Sequence, residues 1–172
     1  IDERLDRLGV RGRRIAVFCP LTRWPTKNWP LSEFVDLVKK LPEDFFVIFT
    51  GTASEQALIS EAMARLAPTR AASFAGCLSL SEYFALVSIA QLVVTGDSLP
   101  MHVASAYNRP LVALFGPTDE SRVAPRSEDS VVVRADTDCH RCYRRSYCPR
   151  NCIGRITVAQ VGQAIDEVLG AH

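Results

Sequence analysis

Short runs of consecutive apolar residues recur along this chain, and a glycine or a proline closes most of them. Such runs are typical of strands buried on both faces of a parallel sheet, because a strand with one exposed face alternates apolar and polar residues. The runs that we interpret as strands are Ile15–Cys19, Phe45–Thr50, Ala72–Ala75, Leu92–Thr95, Leu111–Phe115 and Val131–Arg134.

Stretches with helical character separate these runs. Ser32, Ser81 and Thr157 each precede a stretch with helical periodicity and are placed to cap it. Residues 53–66 are helical in composition, and residues 1–9 resemble the end of a helix. Because strands and helices alternate, the pattern predicts an α/β fold, a Rossmann-like parallel six-stranded sheet with helices on both faces. A single domain over residues 1–172 is expected.

The composition excludes some classes of function. Hydrophobic residues make up 48% and charged residues 23% of the chain, an ordinary balance for a globular domain. The net charge of +1 favours no nucleic-acid partner and at most a peripheral contact with a membrane. The first residue is Ile1 rather than methionine, so we expect a fragment of a longer chain.

The most informative stretch is residues 92–119, where the sequence predicts a strand, a turn, a helix, a second strand and a second turn. Asp97 and Ser98 follow the first of these strands, and His102 lies about one turn into the helix that they precede. In open α/β sheets, ligands bind at the carboxyl ends of the strands. Free backbone N–H groups and the helix dipole favour an anion such as a phosphate there.

Three motifs at successive strand ends carry a family resemblance. They are KNWP at 27–30, GDSLPMH at 96–102 and FGPTD at 115–119. With these motifs the chain resembles glycosyltransferase family 9, the ADP-heptose lipopolysaccharide heptosyltransferases, from about residue 15 to residue 169. One departure lies in the second motif, where Leu99 occupies a position that is usually glycine in the family. The lost glycine removes a flexible backbone position from the donor loop.

The resemblance implies the carboxyl-terminal half of a glycosyltransferase B architecture, with a donor-binding domain only. The acceptor domain, absent here, would hold a lipopolysaccharide core acceptor and supply the general base. The implied reaction is inverting transfer of heptose from ADP-heptose, with no cofactor required, at the cytoplasmic face of the bacterial inner membrane. Two alternatives stay open: a non-catalytic nucleotide-binding module, and a domain for another nucleotide-sugar donor.

The resemblance also assigns catalytic roles to three residues. Lys27 would neutralise the donor diphosphate and stabilise the departing ADP. Asp97 would bind sugar hydroxyls, and His102 would reach a phosphate or a sugar hydroxyl. From the residues alone, Lys27 is equally a solvated loop lysine, Asp97 a helix cap, and His102 a structural histidine.

Six further residues are candidates for donor binding. A carboxylate after the second strand, Glu55, can accept from both ribose hydroxyls, or can simply favour a helix dipole. The resemblance places Leu78 against the adenine, although an apolar residue there also suits a core. Polar side chains and backbone amides at strand ends can donate hydrogen bonds to phosphate oxygens. The alternative for Thr118 is a place in a chain-reversing turn. The candidates are Thr22, Arg23, Glu55, Leu78, Ser98 and Thr118.

Four of the six cysteines form the pattern C-x2-C-x5-C-x3-C, at Cys139, Cys142, Cys148 and Cys152. Four thiolates within 14 residues can close a tetrahedral zinc or iron site. Disulfides and incidental thiols are the alternatives. The interleaved arginines would offset the charge of such a site or contact an anionic acceptor. The remaining two, Cys19 and Cys77, are predicted to be core thiols.

Overall fold

A computed structural model describes residues 1–135, 137–139 and 141–170. Its centre is a six-stranded sheet in which every neighbouring pair is parallel, so the predicted α/β architecture is confirmed. In chain order the strands are β1 (Arg14–Cys19), β2 (Phe45–Phe49), β3 (Ala71–Ser73), β4 (Leu92–Gly96), β5 (Leu111–Phe115) and β6 (Ser130–Arg134). In space the order is β3-β2-β1-β4-β5-β6.

The four central strands are the continuous apolar runs of the sequence. Every residue of β2, β4 and β5 is buried, and so are all residues of β1 after Arg14. The edge strand β6 is mostly half-buried, and the other edge strand, β3, has only three residues. The absence of alternation in the central strands follows from coverage on both faces.

Helices supply that coverage. They are α1 (Asp2–Arg7), α2 (Leu31–Lys40), α3 (Gln56–Met63), α4 (Leu80–Ser88), α5 (Leu99–Ala106), α6 (Glu120–Val123) and α7 (Val158–Gly170). The apolar residues of α2, α3 and α7 share one hydrophobic core with the sheet, and those of α4 and α5 share a second core. The described helices include none that is long and apolar enough to cross a membrane.

Two of the predicted helix caps are wrong. The cap of α4 is Ser79 rather than Ser81, because Ser79 and Glu82 form a reciprocal capping box in which each side chain bonds the other residue's backbone N–H. Helix α2 begins at Leu31, directly after Pro30, so Ser32 lies inside its first turn. The prediction for Cys77 is also wrong, since this thiol is exposed, whereas Cys19 is buried as predicted.

The order of the strands sets where a ligand site can form. The chain runs outward from β1 to β2 and β3 in one direction, and from β4 to β5 and β6 in the other. Strands β1 and β4 are neighbours at the point where this order reverses. A crevice opens outside the carboxyl ends of the strands at such a point. The loop after β1 and the turn after β4 therefore border the expected site.

Trp29 anchors the loop after β1. The ring is 1% exposed and packs edge-on against Phe34, with centroids 5.0 Å apart. Its Nε1 donates a hydrogen bond of 2.8 Å to the backbone carbonyl of Ile156. The loop is thus fixed to the segment before α7 and to the core under α2.

Replacing Trp29 tests this anchor. We expect Trp29→Ala to lower the free energy of unfolding by about 3–5 kcal/mol, because it leaves a large cavity in a packed core. Trp29→Phe keeps most of the apolar volume but leaves the Ile156 carbonyl without its donor, so a smaller loss of about 1–3 kcal/mol is expected. Urea unfolding followed by circular dichroism measures both. A loss below 1 kcal/mol for Trp29→Ala would contradict the anchor.

Candidate functional site

The loop after β1 holds its shape through short-range hydrogen bonds. The backbone N–H of Thr22 donates to Oδ1 of Asn28 at 2.8 Å, and the Thr22 hydroxyl donates to the Trp24 carbonyl at 3.0 Å. A 3-10 turn over Pro25–Lys27 follows. Lys27 consequently leaves the loop from a short, closed turn rather than from a free coil.

A largely buried ion pair joins this loop to the end of β4. Lys27 Nζ lies 2.7 Å from Asp97 Oδ2 and donates a second bond of 3.2 Å to the Asp97 carbonyl. The two side chains are only 13% and 8% exposed. The backbone approaches closely as well, because a Cβ on Gly96 would lie 2.8 Å from the Lys27 carbonyl oxygen. Glycine at this position is therefore required by the packing of the loop on β4.

The ion pair bears on one of the two predicted roles of Asp97, helix capping. The residue that caps α5 is Ser98, and Asp97 is turned toward Lys27 instead. Ser98 itself makes no side-chain cap bond, since its hydroxyl donates to the Gly96 carbonyl at 3.3 Å. The capping alternative for Asp97 is thus excluded by the geometry, and a carboxylate is left buried at the strand end.

A cleft of about 520 Å³ opens outside the carboxyl ends of β1, β2 and β3. It brings together residues far apart in sequence, from the loops after β1 and β2 and from the segment that leads into α4. Leu99 and Pro100 at the start of α5 complete one wall. Four predicted donor-binding residues line this cleft, namely Thr22, Arg23, Glu55 and Leu78.

Glu55 closes a turn and also lines the cleft. Its Oε2 accepts a 2.7 Å hydrogen bond from the Thr52 backbone N–H, which closes a capping box at the turn before α3. The side chain also faces the cleft. One carboxylate oxygen therefore fixes the turn, and the other is available to a ligand hydroxyl.

The floor of the cleft is a small polar cluster that sequence reasoning missed. Cys19 Sγ lies 3.1 Å from Thr50 Oγ1 and 3.6 Å from the Tyr83 hydroxyl. Burial raises the pKa of the Cys19 thiol and that of the Tyr83 phenol, so both groups stay neutral at physiological pH. The sequence places Cys19 at the end of the first strand, but it does not show that the partners of its thiol come from the end of β2 and from α4.

Other predicted residues lie outside the cleft lining. Lys27, Asp97 and Ser98 adjoin it at the end of β4. The His102 side chain is exposed on α5 and makes no hydrogen bond or ion pair with the residues that the structure describes. Thr118 is 3% exposed, and its hydroxyl has no partner among the same residues. The structure thus gathers the Lys27 and Asp97 pair at one edge of the cleft and keeps Thr118 in the interior.

The predicted four-cysteine metal site is not formed. Over residues 1–135, 137–139 and 141–170, no three histidine, cysteine, aspartate or glutamate side chains are arranged to hold a metal ion. Burial, and after it the Cys139 thiol, raise the pKa of Cys152, and all four cysteines are free thiols. One of the interleaved arginines, Arg141, forms ion pairs with two carboxylates. It lies 2.7 Å from Asp119 Oδ1 and 2.7 Å from Glu120 Oε1. The Asp119 and Glu120 carboxylates thus bind this segment through Arg141.

Comparison with known proteins gives one consistent result. Residues 2–152 match the family model described as glycosyltransferase family 9 (heptosyltransferase). Lipopolysaccharide heptosyltransferase 2 of Escherichia coli K12 is 36% identical over 129 residues, which cover 72% of this chain and 37% of that protein. Lipopolysaccharide heptosyltransferase 3 of Escherichia coli is 30% identical over 170 residues, 96% of this chain and 49% of that protein.

The fold agrees with this match. The structure of E. coli ADP-heptose lps heptosyltransferase II superposes with a TM-score of 0.84 at 27% sequence identity. The superposition covers 99% of this chain and 51% of that chain. This chain therefore spans about half, or less, of the length of the relatives that it matches.

The buried ion pair gives a direct test by substitution. We expect Asp97→Ala to lower the free energy of unfolding by about 3–5 kcal/mol, because it leaves a buried ammonium without its counter-ion. The matched control is Asp36→Ala, since Asp36 pairs with Lys39 at 2.6 Å but both side chains are 52% exposed. The control should lose no more than about 1 kcal/mol. Equal losses in chemical unfolding would mean that burial adds nothing to the Lys27–Asp97 pair.

Proposed function

The chain belongs to glycosyltransferase family 9, the heptosyltransferases, and we propose that it is the donor-binding domain of an enzyme that transfers heptose from ADP-heptose to a lipopolysaccharide core acceptor. The observation that carries this proposal is the cleft at the carboxyl ends of β1, β2 and β3, with the Lys27–Asp97 pair at its edge. An apolar cleft beside a buried cation suits a ligand that is aromatic at one end and anionic at the other.

The cleft has walls suited to a nucleoside. Leu78, Leu80 and Leu99 offer apolar surface, and the last two are 60% and 54% exposed in the free domain. An adenine ring placed among them would remove this surface from water. Glu55 lies at the same cleft with a carboxylate oxygen to accept from ribose hydroxyls, as acidic residues do in other Rossmann-like sites.

The diphosphate would lie toward the loop after β1 and the start of α5. Lys27 supplies a positive charge there, and Arg23 supplies another at the cleft wall. The Thr22 and Ser98 hydroxyls lie on the two segments that border this position. Fixed donors that face a developing negative charge stabilise it without reorganisation.

The proposed chemistry is a direct displacement with inversion at the anomeric carbon. The acceptor oxygen forms the new bond, the bond between that carbon and the phosphate oxygen breaks, and the electron pair leaves with ADP. The acceptor proton passes to a general base in the other half of the enzyme. The Asp97 carboxylate would accept hydrogen bonds from sugar hydroxyls and so orient the donor. The charge on the leaving group is met by this chain's own cations, and the proposal therefore includes no cofactor.

Two predicted contacts need the bound donor to form. His102 is exposed on α5, on the same helix whose first residues wall the cleft, and we assign it to a phosphate or sugar hydroxyl of the donor. The Thr118 hydroxyl is buried without a partner among the described residues, and we assign it to the donor side of the turn after β5.

The lipopolysaccharide acceptor is assigned to the amino-terminal half of the enzyme. The enzyme itself is assigned to the cytoplasmic face of the inner membrane, with peripheral membrane contact at most.

Leu99 supports a second candidate function. Where the family usually has glycine, this side chain is 54% exposed and stands in the wall of the cleft. A side chain there either packs on the nucleotide or blocks part of its path. In the second case the domain would be a non-catalytic nucleotide-binding module, or would take a different nucleotide-sugar donor.

Calorimetric titration of the chain with ADP tests the donor assignment. We expect binding of ADP without sugar transfer by this chain alone, because the general base lies elsewhere. Lys27→Gln should weaken ADP binding about tenfold or more, since it removes a charge-assisted contact but keeps a hydrogen bond to Asp97. The control Lys39→Gln removes an exposed lysine on α2 and should leave the affinity unchanged. Full transfer by this chain, or no binding of ADP, would refute the assignment.

Leu99 has a test of its own. If its side chain packs on the nucleotide, Leu99→Ala should weaken ADP binding about three- to tenfold through lost apolar contact. The matched control is Leu58→Ala, because Leu58 on α3 is 51% exposed and lies outside the cleft lining. The control should bind ADP as the parent does. Tighter binding by Leu99→Ala would instead support the second candidate function.

A further inference from the structure

A short segment of the cysteine-rich loop packs on the loop after β1 and on the turn after β5. We call residues 141–145 the strap. The Tyr143 backbone N–H donates to the Pro117 carbonyl at 3.0 Å, and the Thr26 hydroxyl contacts the carbonyls of Arg144 and Arg145, the latter at 3.2 Å. Arg141 ties the same segment to Asp119 and Glu120. The strap therefore connects the loop after β1 with the turn after β5.

Two cations meet at one indole ring under the strap. The Arg145 guanidinium carbon lies 4.6 Å from the centre of the Trp24 ring, and Lys27 Nζ lies 4.3 Å from the same centre. Trp24 is itself held by the hydrogen bonds that its backbone makes with the Thr22 hydroxyl. A guanidinium stacked on a fixed ring loses little further freedom when it binds an anion.

The charges around Trp24 do not balance. Lys27 has Asp97 as its counter-ion, and Arg141 has Asp119 and Glu120. Arg145 makes no ion pair within the part of the chain that the structure describes. An oriented guanidinium without a carboxylate, beside a buried lysine, favours an anion that presents several oxygens, as a phosphate does.

We propose that Arg145 binds the outer phosphate of the nucleoside diphosphate, alongside Lys27. This inference rests on the proposed function and adds a residue that no strand-end motif contains. As the bond between the anomeric carbon and the phosphate oxygen breaks, the electron pair stays on that oxygen, and Arg145 would act beside Lys27 as a second donor to the growing charge. The strap thereby adds a binding group from outside the strand-end loops.

Calorimetry with ADP and AMP tests the assignment, since only ADP carries the outer phosphate. We expect Arg145→Gln to weaken ADP binding about tenfold and AMP binding less than about twofold. Arg145→Lys keeps a charge at the position and should recover part of the loss. The matched control is Arg150→Gln, because Arg150 is an exposed arginine of the same loop without a contact to Trp24.

The outcomes separate this inference from the donor assignment. If the parent chain binds ADP and Arg145→Gln behaves like Arg150→Gln, the phosphate role of Arg145 is wrong while the donor domain stands. If Arg145→Gln weakens ADP and AMP equally, and Arg145→Lys does the same, the residue only holds the strap and the inference is also overturned. If the parent chain binds neither nucleotide, the proposed function itself fails.

Discussion

The buried pair between Lys27 and Asp97 is the interaction on which the candidate site depends. A lysine and an aspartate that are 13% and 8% exposed are stable at a strand end only because each neutralises the other. The pair fastens the loop after β1 to the end of β4, where the strand order reverses. It also places a cation at the edge of the cleft without leaving that cation free to fold back into solvent.

The site is assembled in layers around this pair. The sheet provides a crevice at the carboxyl ends of its strands, the loops after β1 and β2 provide polar side chains, and the start of α5 provides an apolar wall. The strap adds Arg145 from a segment far along the chain. The cleft thus combines apolar wall residues with charged and polar side chains.

Individual residues show which parts of the structure could be predicted from the sequence. The apolar runs predict the parallel sheet correctly, because central strands must be apolar on both faces. The cap at Ser81 is wrong because serine spacing alone does not reveal that Ser79 forms the reciprocal box with Glu82. The cap at Ser32 is wrong because α2 already begins at Leu31, directly after Pro30. The four cysteines are a comparable case. Their spacing allows a tetrahedral set of thiolates, but among the described residues the side chains are not arranged to hold a metal ion.

The sequence by itself determined the sheet, its coverage on both faces, and the strand ends at which Thr22, Arg23, Glu55 and Leu78 are placed. Those features follow from local periodicity and turn chemistry, which neighbouring residues encode. Only the tertiary structure decided that Asp97 pairs with Lys27 instead of capping α5, and that Arg145 stacks on Trp24. Such contacts join residues 70 or more positions apart, and their free energy depends on burial and mutual orientation, which no stretch of sequence specifies alone.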